Sequence, residues 1–336
     1  MHMSNYHEYL TPALRAVAEA CQATRAVQSE LDTIRQMTKD DRSPVTVADF
    51  AAQAIVCRRL IDELGPIDMV GEESAADLRG ADKQTLRAAV AQTVQKYRSD
   101  LSVDDVLDAI DIGNHDASHS SYWTLDPIDG TKGFLRGGQY AVSLALIEHG
   151  QVVMGVLGCP NMSSDFNRPF DQPDSTGCIY YAIESGGSWY LPENDITVEA
   201  TKIHANSEVD LGALRVCESV ESSHSKQDDT ARILNHLNAT SAPARLDSQC
   251  KYAVVGRGQA DAYLRLPTHA GYVEKIWDHA AGKLVAEQAG AKVSDIYGKP
   301  LDFSTGATLQ ANKGVICTAQ DIHGDIIAAI QALGIA

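Results

Sequence analysis

Two aspartates separated by a proline and an isoleucine, Asp126 and Asp129 in the segment DPIDGT, constrain this chain more than any other short motif. The apolar residues 123–125 before them are typical of a strand, and a proline disfavours helix at the residue that precedes it. We therefore expect a turn at Asp126 that brings both carboxylates and the carbonyl of Ile128 to one point. Hard oxygen ligands of this kind suit Mg²⁺.

Gly130 and Thr131 follow the second aspartate directly. If a helix opens here, its free N–H groups face the same point and can hold a phosphate. Two Mg²⁺ ions bridged by a phosphate would acidify an attacking water and stabilise the leaving alkoxide, with no covalent nucleophile. A bare motif of this length is more often a simple turn with a helix cap, so the rest of the chain decides the interpretation.

Three further carboxylates stand at predicted turns or helix ends. Asp49 lies in the first turns of a helical stretch, and Glu72 follows a strand-like run at 67–71. Asp278 follows two bulky residues and opens a predicted helix of small residues. The competing interpretation is structural, with Asp278 as a helix cap and Asp49 as a partner of the Thr131 hydroxyl.

The composition is that of a globular protein large enough for two domains, with 336 residues, 44% hydrophobic and 22% charged. The formal charge of −17 repels nucleic-acid polymers and anionic membranes. An anionic substrate therefore needs metal cations or a local cluster of Lys and Arg. A small-molecule substrate and a monomer or weak homodimer are expected.

The chain shows no apolar run of about 18 residues and no signal-peptide pattern. Seven cysteines without CxxC spacing predict reduced thiols. These features favour a cytoplasmic protein, or an organellar one if a leader has been trimmed. Cys159 and Cys178 bracket an irregular loop at 160–177, and an oxidative switch between them is a minor alternative to two buried strand cysteines.

The pattern of elements changes near residue 205. Residues 1–205 predict an α+β domain whose first helix starts at Thr11-Pro12 and whose hairpin turns at 148–150. Residues 206–336 alternate strands and helices like an α/β domain.

Two long segments, 123–136 and 277–290, resemble both signatures of the inositol monophosphatase superfamily, the lithium-sensitive, metal-dependent phosphatases. Within it, further segments are similar to the 3′(2′),5′-bisphosphate nucleotidases, and the resemblance weakens only in 80–120, 160–210 and the C-terminal tail. These segments are SPVTVAD (43–49), VGEES (70–74), TKGFLR (131–136), LDSQCKY (246–252), YLRL (263–266) and EKIWD (274–278). The resemblance implies an α/β protein with a layered αβαβα sandwich.

The resemblance also implies roles for individual residues. Asp49 and Thr131 would accept the proton of the attacking water, and Glu73 would contact the metal's water shell or merely lie in solvent. The implied magnesium ligands are Glu72, Asp126, Ile128 through its carbonyl, Asp129 and Asp278. The implied substrate contacts are Gly130, Thr131, His224, Ser248, Lys251, Arg265 and Asp278. Without the resemblance, His224, Lys251 and Arg265 would be read as solvated surface residues.

The implied reaction is Mg²⁺-dependent hydrolysis of the 3′-phosphate of adenosine 3′,5′-bisphosphate to AMP, with two or three ions. The sulfated analogue and inositol 1,4-bisphosphate are further expected substrates. One alternative is a phosphatase of the same superfamily for inositol phosphates or a sugar bisphosphate. The other is a catalytically silent nucleotide sensor, against which the complete set of carboxylates argues.

Overall fold

The computed structural model describes residues 6–31, 43–221, 226–268 and 271–335. The helices are α1 (His7–Ser29), α2 (Ser43–Leu64), α3 (Gln84–Gln95), α4 (Val103–Asp111), α5 (Thr131–Leu135), α6 (Gln227–His236), α7 (Cys250–Gly256), α8 (Ala280–Gln288) and α9 (His323–Ala332). Within the described part of the chain, no helix has the length and apolar character needed to cross a membrane.

Two sheets form the framework. The first contains β1 (Met69–Gly71), β2 (Ser121–Asp129), β3 (Ala141–Glu148), β4 (Gln151–Cys159), β5 (Cys178–Ile183), β6 (Gly187–Pro192) and β7 (Thr201–Lys202), in that order. The second has the order β11 (Ala291–Ser294), β12 (Val315–Ala319), β10 (Ala262–Arg265), β8 (Val216–Glu218) and β9 (Ala244–Arg245). In the first sheet β1 is parallel to β2, and the other neighbours are antiparallel.

Three buried clusters separate five layers. One cluster lies between helices α1 and α2 and the first sheet. The second joins the two sheets through α7 and α8, and the third lies between the second sheet and α6 and α9. The expected αβαβα sandwich is therefore confirmed. The last strand of the first sheet ends at Lys202, and the first strand of the second sheet begins at Val216. The domain boundary near residue 205 stays a prediction.

Close packing in the middle layer explains the small residues at the start of α8. A Cβ added to Gly155 on β4 would lie 2.9 Å from the Cα of Ala281. The helix and the strand can approach this closely only because neither has a large side chain at the contact. The loop that leads into α8 carries Asp278, so this packing also sets the position of that carboxylate.

The predicted start of the first helix at Thr11-Pro12 is wrong. Helix α1 begins at His7 and contains Pro12. Tyr9 and Leu10 in the added turn pack against the core, and this burial offsets the hydrogen bond that proline cannot donate. The predicted hairpin is confirmed: His149 and Gly150 both have positive φ, 50° and 75°, as a type I′ turn requires.

Candidate active site

The predicted site residues that the structure describes line one cavity of about 530 Å³ between the two sheets. This volume suits a small-molecule ligand. The lining residues are Val45, Thr46, Asp49, Glu72, Glu73, Asp126, Ile128, Asp129, Gly130, Thr131, Lys132, Leu135, Ser219, Glu221, Asp247, Ser248, Lys251, Arg265, Tyr272 and Asp278. His224 lies outside the described residues.

Asp126 and Asp129 reach the cavity from the end of β2. The expected turn at Asp126 is wrong, because β2 continues to Asp129 and its pairing with β3 shifts register between the two aspartates. Such an irregularity accommodates Pro127, which has no N–H for the ladder. The backbone N–H of Ile128 donates to Asp126 Oδ1 at 3.1 Å, which holds that carboxylate in place.

Gly130 ends the strand and starts α5, as the sequence predicted. It occupies the N-cap with φ of 92°, so Thr131 is the first helical residue and not the cap. A Cβ at Gly130 would lie 2.9 Å from Cβ of Ser248, whose own φ is 68°. Both the left-handed conformation and the close approach require glycine here.

Gly130→Ala is therefore expected to destabilise the protein by about 1–3 kcal/mol. It should also move Thr131 relative to Asp129, and so lower the rate of the phosphate release that the family resemblance implies. Chemical denaturation and a phosphate assay measure the two effects. The matched control is Gly324→Ala, where an added Cβ meets nothing within 4 Å. Unchanged stability of Gly130→Ala would contradict this account of the turn.

Asp278 completes the carboxylate cluster from the other half of the chain. One oxygen from each of Asp126, Asp129 and Asp278 lies within 4.8 Å of the other two. The structural alternative for Asp278 does not hold, because His279 occupies the N-cap of α8 and no side chain caps that helix.

Glu72 and Glu73 follow β1 at the mouth of the cavity. The side chain of Glu72 is exposed to the water of the cavity, yet the surrounding cavity walls still desolvate its carboxylate, and Glu73 is half-buried. The buried amide of Gln53 on α2 holds the backbone of Glu73: Nε2 donates to the Glu73 carbonyl at 2.6 Å, and the Glu73 N–H donates to Oε1 at 3.1 Å. Sequence reasoning missed Gln53, although a glutamine within an apolar helix face was a detectable signal.

The carboxylates raise one another's pKa values. Burial raises the pKa of Asp126 well above its ordinary value, and Glu72 and Asp129 raise it further. Burial and then Asp278 raise the pKa of Asp129 to about 6, against the opposing effect of nearby cations. Burial and then Asp278 raise the pKa of Glu72 to about 8. A bound cation would relieve this repulsion.

Asp49 and Thr131 line the same cavity from α2 and α5. Asp49 is buried, and burial raises its pKa well above the ordinary value, with further contributions from Glu73 and Glu72. Thr131 is exposed to the cavity. Both groups therefore line the same cavity as the carboxylate cluster, and their catalytic role stays a prediction.

Lys251 is buried and not a solvated surface charge. Its side chain is 2% exposed, and Nζ donates to the carbonyls of Leu246 at 3.0 Å and Ser248 at 2.7 Å. Burial lowers its pKa, and the charge of Asp129 opposes that effect. The surface alternative weighed from the sequence is therefore wrong for Lys251.

Arg265 is held by a chain of buried groups. Its Nε donates to Glu274 at 2.9 Å, and its guanidinium lies 3.9 Å from Asp278. The other carboxylate oxygen of Glu274 contacts His279 Nε2 at 3.2 Å, and His279 Nδ1 contacts the Tyr252 hydroxyl at 2.9 Å. Burial alone would raise the pKa of Glu274, but Arg265 and His279 lower it to about 2. The sequence indicated Arg265 but none of its supporting groups.

Gln249 connects the two halves of the site, and sequence reasoning missed it too. Its backbone N–H donates to Asp129 Oδ2 at 2.5 Å. Its side-chain oxygen accepts from Ser143 at 3.1 Å and from the Gly282 N–H at 3.2 Å, and its amide donates to the Trp277 carbonyl at 2.8 Å. One residue therefore positions the loops that carry Asp129 and Asp278.

The residues fit the magnesium that the sequence predicts. Acidic residues outnumber basic ones by eight to three among those lining the cavity. Without added positive charge this cavity would repel a phosphate. Clustered carboxylates and a strand-end carbonyl are the oxygen donors that Mg²⁺ prefers.

Cys159 and Cys178 face each other across β4 and β5. All seven cysteines are free and buried. Burial raises the pKa of Cys178 to about 11 and that of Cys159 well above its ordinary value. Since the thiolate is the reactive form, we predict that mild oxidants leave phosphate release unchanged. Loss of activity in the native protein but not in a Cys159→Ser/Cys178→Ser variant would contradict this prediction.

Comparisons with known proteins agree on the family. Residues 5–334 match the inositol monophosphatase family. The chain is 41% identical over 334 residues to the 3′(2′),5′-bisphosphate nucleotidase of Schizosaccharomyces pombe, covering 96% of this chain and 94% of that protein. It is 37% identical to 3′,5′-bisphosphate nucleotidase 2 of Arabidopsis thaliana, covering 97% of each.

Solved structures show the same fold at lower identity. The inositol monophosphatase of Anabaena matches with a TM-score of 0.62 and 18% identity, over 98% of this chain and 97% of that one. CysQ of Bacteroides thetaiotaomicron matches with a TM-score of 0.61 and 18% identity, over 94% and 98%. From the match across almost its whole length and its similarity to the curated relatives, this chain belongs to the inositol monophosphatase family.

Proposed function

We propose that the chain is a Mg²⁺-dependent phosphatase that removes the 3′-phosphate of adenosine 3′,5′-bisphosphate. The observation that carries the proposal is one cavity in which a carboxylate cluster lies next to two cationic side chains. The cluster comprises Asp126, Asp129 and Asp278, and the cations are Lys251 and Arg265. The relatives of about 40% identity are named as nucleotidases for this class of substrate.

The substrate carries two anionic groups, and the cavity offers two kinds of environment for them. Asp126, Asp129, Asp278 and Glu72, with the Ile128 carbonyl, would hold the ions beside the scissile phosphate. Bound Mg²⁺ supplies Lewis acidity that activates water and stabilises the leaving alkoxide. Lys251 and Arg265 would bind the second anionic group of the nucleotide, through a buried point charge and a planar fork of donors.

Asp49 and Thr131 would orient the attacking water and accept its proton. The raised pKa of Asp49 makes its carboxylate a stronger base than an exposed aspartate. Thr131 brings a hydroxyl that can accept from the water and donate to a carboxylate. Ser248 and Gly130 contact each other closely in the adjacent wall, where they would contact the substrate.

A comparison of three substrates tests the proposal. Phosphate release from adenosine 3′,5′-bisphosphate, inositol 1,4-bisphosphate and inositol 1-phosphate is measured at equal concentration, with and without Mg²⁺. We expect fastest release from the nucleotide and none without Mg²⁺. Faster release from inositol phosphates would keep the metal chemistry but overturn the nucleotide assignment. Tight nucleotide binding without phosphate release would indicate the silent sensor.

The sulfated analogue of the nucleotide is proposed as a second substrate, since it has the same 3′-phosphate. Lithium should inhibit release at concentrations up to the millimolar range, by resemblance to the superfamily. Measuring inhibition with Na⁺ at equal ionic strength controls for general salt effects. Insensitivity to Li⁺ would question the subfamily and not the reaction.

The Mg²⁺ concentration that the reaction requires should depend on pH. The metal-free pKa values of Glu72 and Asp129, about 8 and about 6, mean that protons occupy these carboxylates below those values. Magnesium must then displace protons, so the Mg²⁺ concentration for half-maximal activity should rise as pH falls from 8 to 6. A titration of activity against Mg²⁺ at several pH values measures this. A constant half-maximal concentration would contradict the assignment of these ligands.

A further inference from the structure

A second group of metal-ligating side chains lies outside the cavity, near the start of β1. Asp68, His115 and His119 each offer a ligand atom, and these atoms lie within 4.8 Å of one another. His119 Nδ1 is 2.5 Å from Asp68 Oδ2, and His115 Nε2 is 3.7 Å from Asp68 Oδ1. Two imidazoles and a carboxylate favour Zn²⁺ over Mg²⁺, because imidazole nitrogen suits the softer ion.

We propose that Asp68, His115 and His119 form a Zn²⁺ site that clamps the loop at 115–119 to the edge of the first sheet. Tetrahedral zinc with bonds of 2.0–2.1 Å places neighbouring ligand atoms about 3.4 Å apart. The two measured separations, 2.5 Å to Asp68 Oδ2 and 3.7 Å to Asp68 Oδ1, lie on either side of that value, so rotation of the carboxylate and a small shift of His119 bring the ligand atoms to this spacing. His119 is 65% exposed, which leaves the fourth position to water.

The backbone holds the ligands close before an ion arrives. The His115 N–H donates to the Met69 carbonyl at 3.0 Å, and the Gly71 N–H donates to the Gly113 carbonyl at 2.8 Å. On the other side of β1, the Trp123 N–H donates to the Asp68 carbonyl at 2.8 Å. These bonds fix the stretch that carries His115 beside the residue that carries the carboxylate. Ion binding therefore has little backbone left to order.

Two contacts must change when the ion binds. The hydrogen bond between His119 Nδ1 and Asp68 Oδ2 is replaced by a bond from each atom to zinc. His115 Nδ1 accepts a hydrogen bond from the Ala117 N–H at 3.1 Å. A neutral imidazole that binds zinc through Nε2 has its proton on Nδ1, so this acceptor is lost. Ala117 has a left-handed φ of 60°, which is unfavourable for alanine and is free to relax once the bond breaks. The Ala117 amide is therefore a specific reporter of occupancy.

The zinc site and the cavity are separate. Asp68 precedes Glu72 by four residues of extended chain, which at about 3.3 Å per residue places them about 13 Å apart. Zinc at Asp68 would therefore bind without displacing the ligands of the phosphatase reaction. The site would stabilise the strand from which Glu72 extends.

Calorimetric titration of the full chain with Zn²⁺, in excess Mg²⁺ to occupy the cavity, tests this inference. We expect one equivalent of Zn²⁺ and a shift of the Ala117 amide resonance. His119→Ala and His115→Ala should each weaken binding by more than the roughly 10-fold that loss of an outer partner costs. The matched control, His236→Ala at the exposed end of α6, should bind like the native protein.

Two results would overturn the inference. One is Zn²⁺ binding of equal affinity in the native protein and His119→Ala, which would place the ion elsewhere. The other is the absence of Zn²⁺ binding in the presence of Mg²⁺. The variant Asp129→Asn distinguishes the two sites. It should lose Mg²⁺-dependent activity and still bind one equivalent of Zn²⁺. Circular dichroism verifies that each variant is folded. His119→Ala is expected to fold because the His119 side chain is exposed.

Discussion

Asp129→Asn should abolish phosphate release and at the same time stabilise the metal-free protein at neutral pH. The substitution removes a ligand of the proposed magnesium site. Its expected contribution of several kcal/mol corresponds to a loss on the order of 1,000-fold in rate. It also removes a charge that the fold disfavours. The pKa of Asp129 rises from 3.8 to about 6 on folding, so keeping it ionised at pH 7 costs about 3 kcal/mol.

The pH dependence of that stabilisation has a definite sign. Below pH 4 the carboxyl is protonated in both the folded and the unfolded chain, so the cost is absent. It develops between pH 4 and 6 and is complete above the folded pKa. The attraction of Asp129 to Lys251 and Arg265 is already included in the pKa of about 6. We therefore expect Asp129→Asn to raise the free energy of unfolding by up to about 3 kcal/mol at pH 7, and by far less at pH 4.

Urea denaturation in a chelator at the two pH values measures this effect. Asp171→Asn, in an exposed loop, is the matched control and should change neither stability nor activity. Added Mg²⁺ should stabilise the native protein more than the variant, since it binds only the intact site. A variant that retains activity would contradict the metal assignment. Equal stabilisation at pH 4 and 7 would contradict the electrostatic explanation.

Glu274→Gln should cost about 3 kcal/mol of stability at pH 7 and weaken substrate binding. Glu274 is 6% exposed and pairs with Arg265, and its pKa falls from 4.5 to about 2 on folding. Because the folded pKa is lowered, this stabilisation is present above pH 4.5 and is lost as pH falls toward 2. A neutral glutamine leaves the buried guanidinium without its counter-charge. Arg265 should then lose its orientation, raising KM by roughly 10-fold.

Glu287→Gln is the matched control for this substitution. Glu287 pairs with Lys283 at 2.8 Å in a partly exposed (i, i+4) arrangement, which contributes only a few tenths of a kcal/mol. Denaturation and steady-state kinetics compare the two variants, and Glu274→Asp should restore part of both properties. A change in kcat with no change in KM would place Arg265 at the reacting phosphate instead. Equal stability of the two glutamine variants would contradict the buried ion pair.

The residue types of one short motif made two carboxylates of the candidate site predictable. Asp126, Asp129 and Gly130 lie in one short motif in which a proline and a glycine restrict the backbone. The sequence therefore indicated that oxygen ligands and a helix start meet there. It misjudged how they meet, because the strand continues through Pro127 by a shift of register that depends on pairing with β3.

The supporting residues were not predictable in the same way. Gln53 lies in no motif. Gln249 and Glu274 lie in segments that resemble the family, but nothing in those segments indicated their roles, since each acts through a partner distant in sequence or through burial. The lowered pKa of Lys251 likewise results from burial, which only the packing of the folded chain creates. The zinc site also joins Asp68 to His115 and His119, which are 47 and 51 residues away and meet only because the sheet edge brings them together.

By itself, the sequence predicted oxygen ligands at Asp126 and Asp129 and most of the order of elements, because these follow from residue type, short spacing and periodicity. The roles of the other site residues were implied by the family resemblance and stay predictions. The tertiary structure decided that Lys251 is buried and that Arg265 is paired. It also brings Asp278 to Asp126 and Asp129, a grouping that only the family resemblance had implied. The physical reason is that electrostatic energy depends on distance and solvation, and both are set when the two sheets pack around the middle helices.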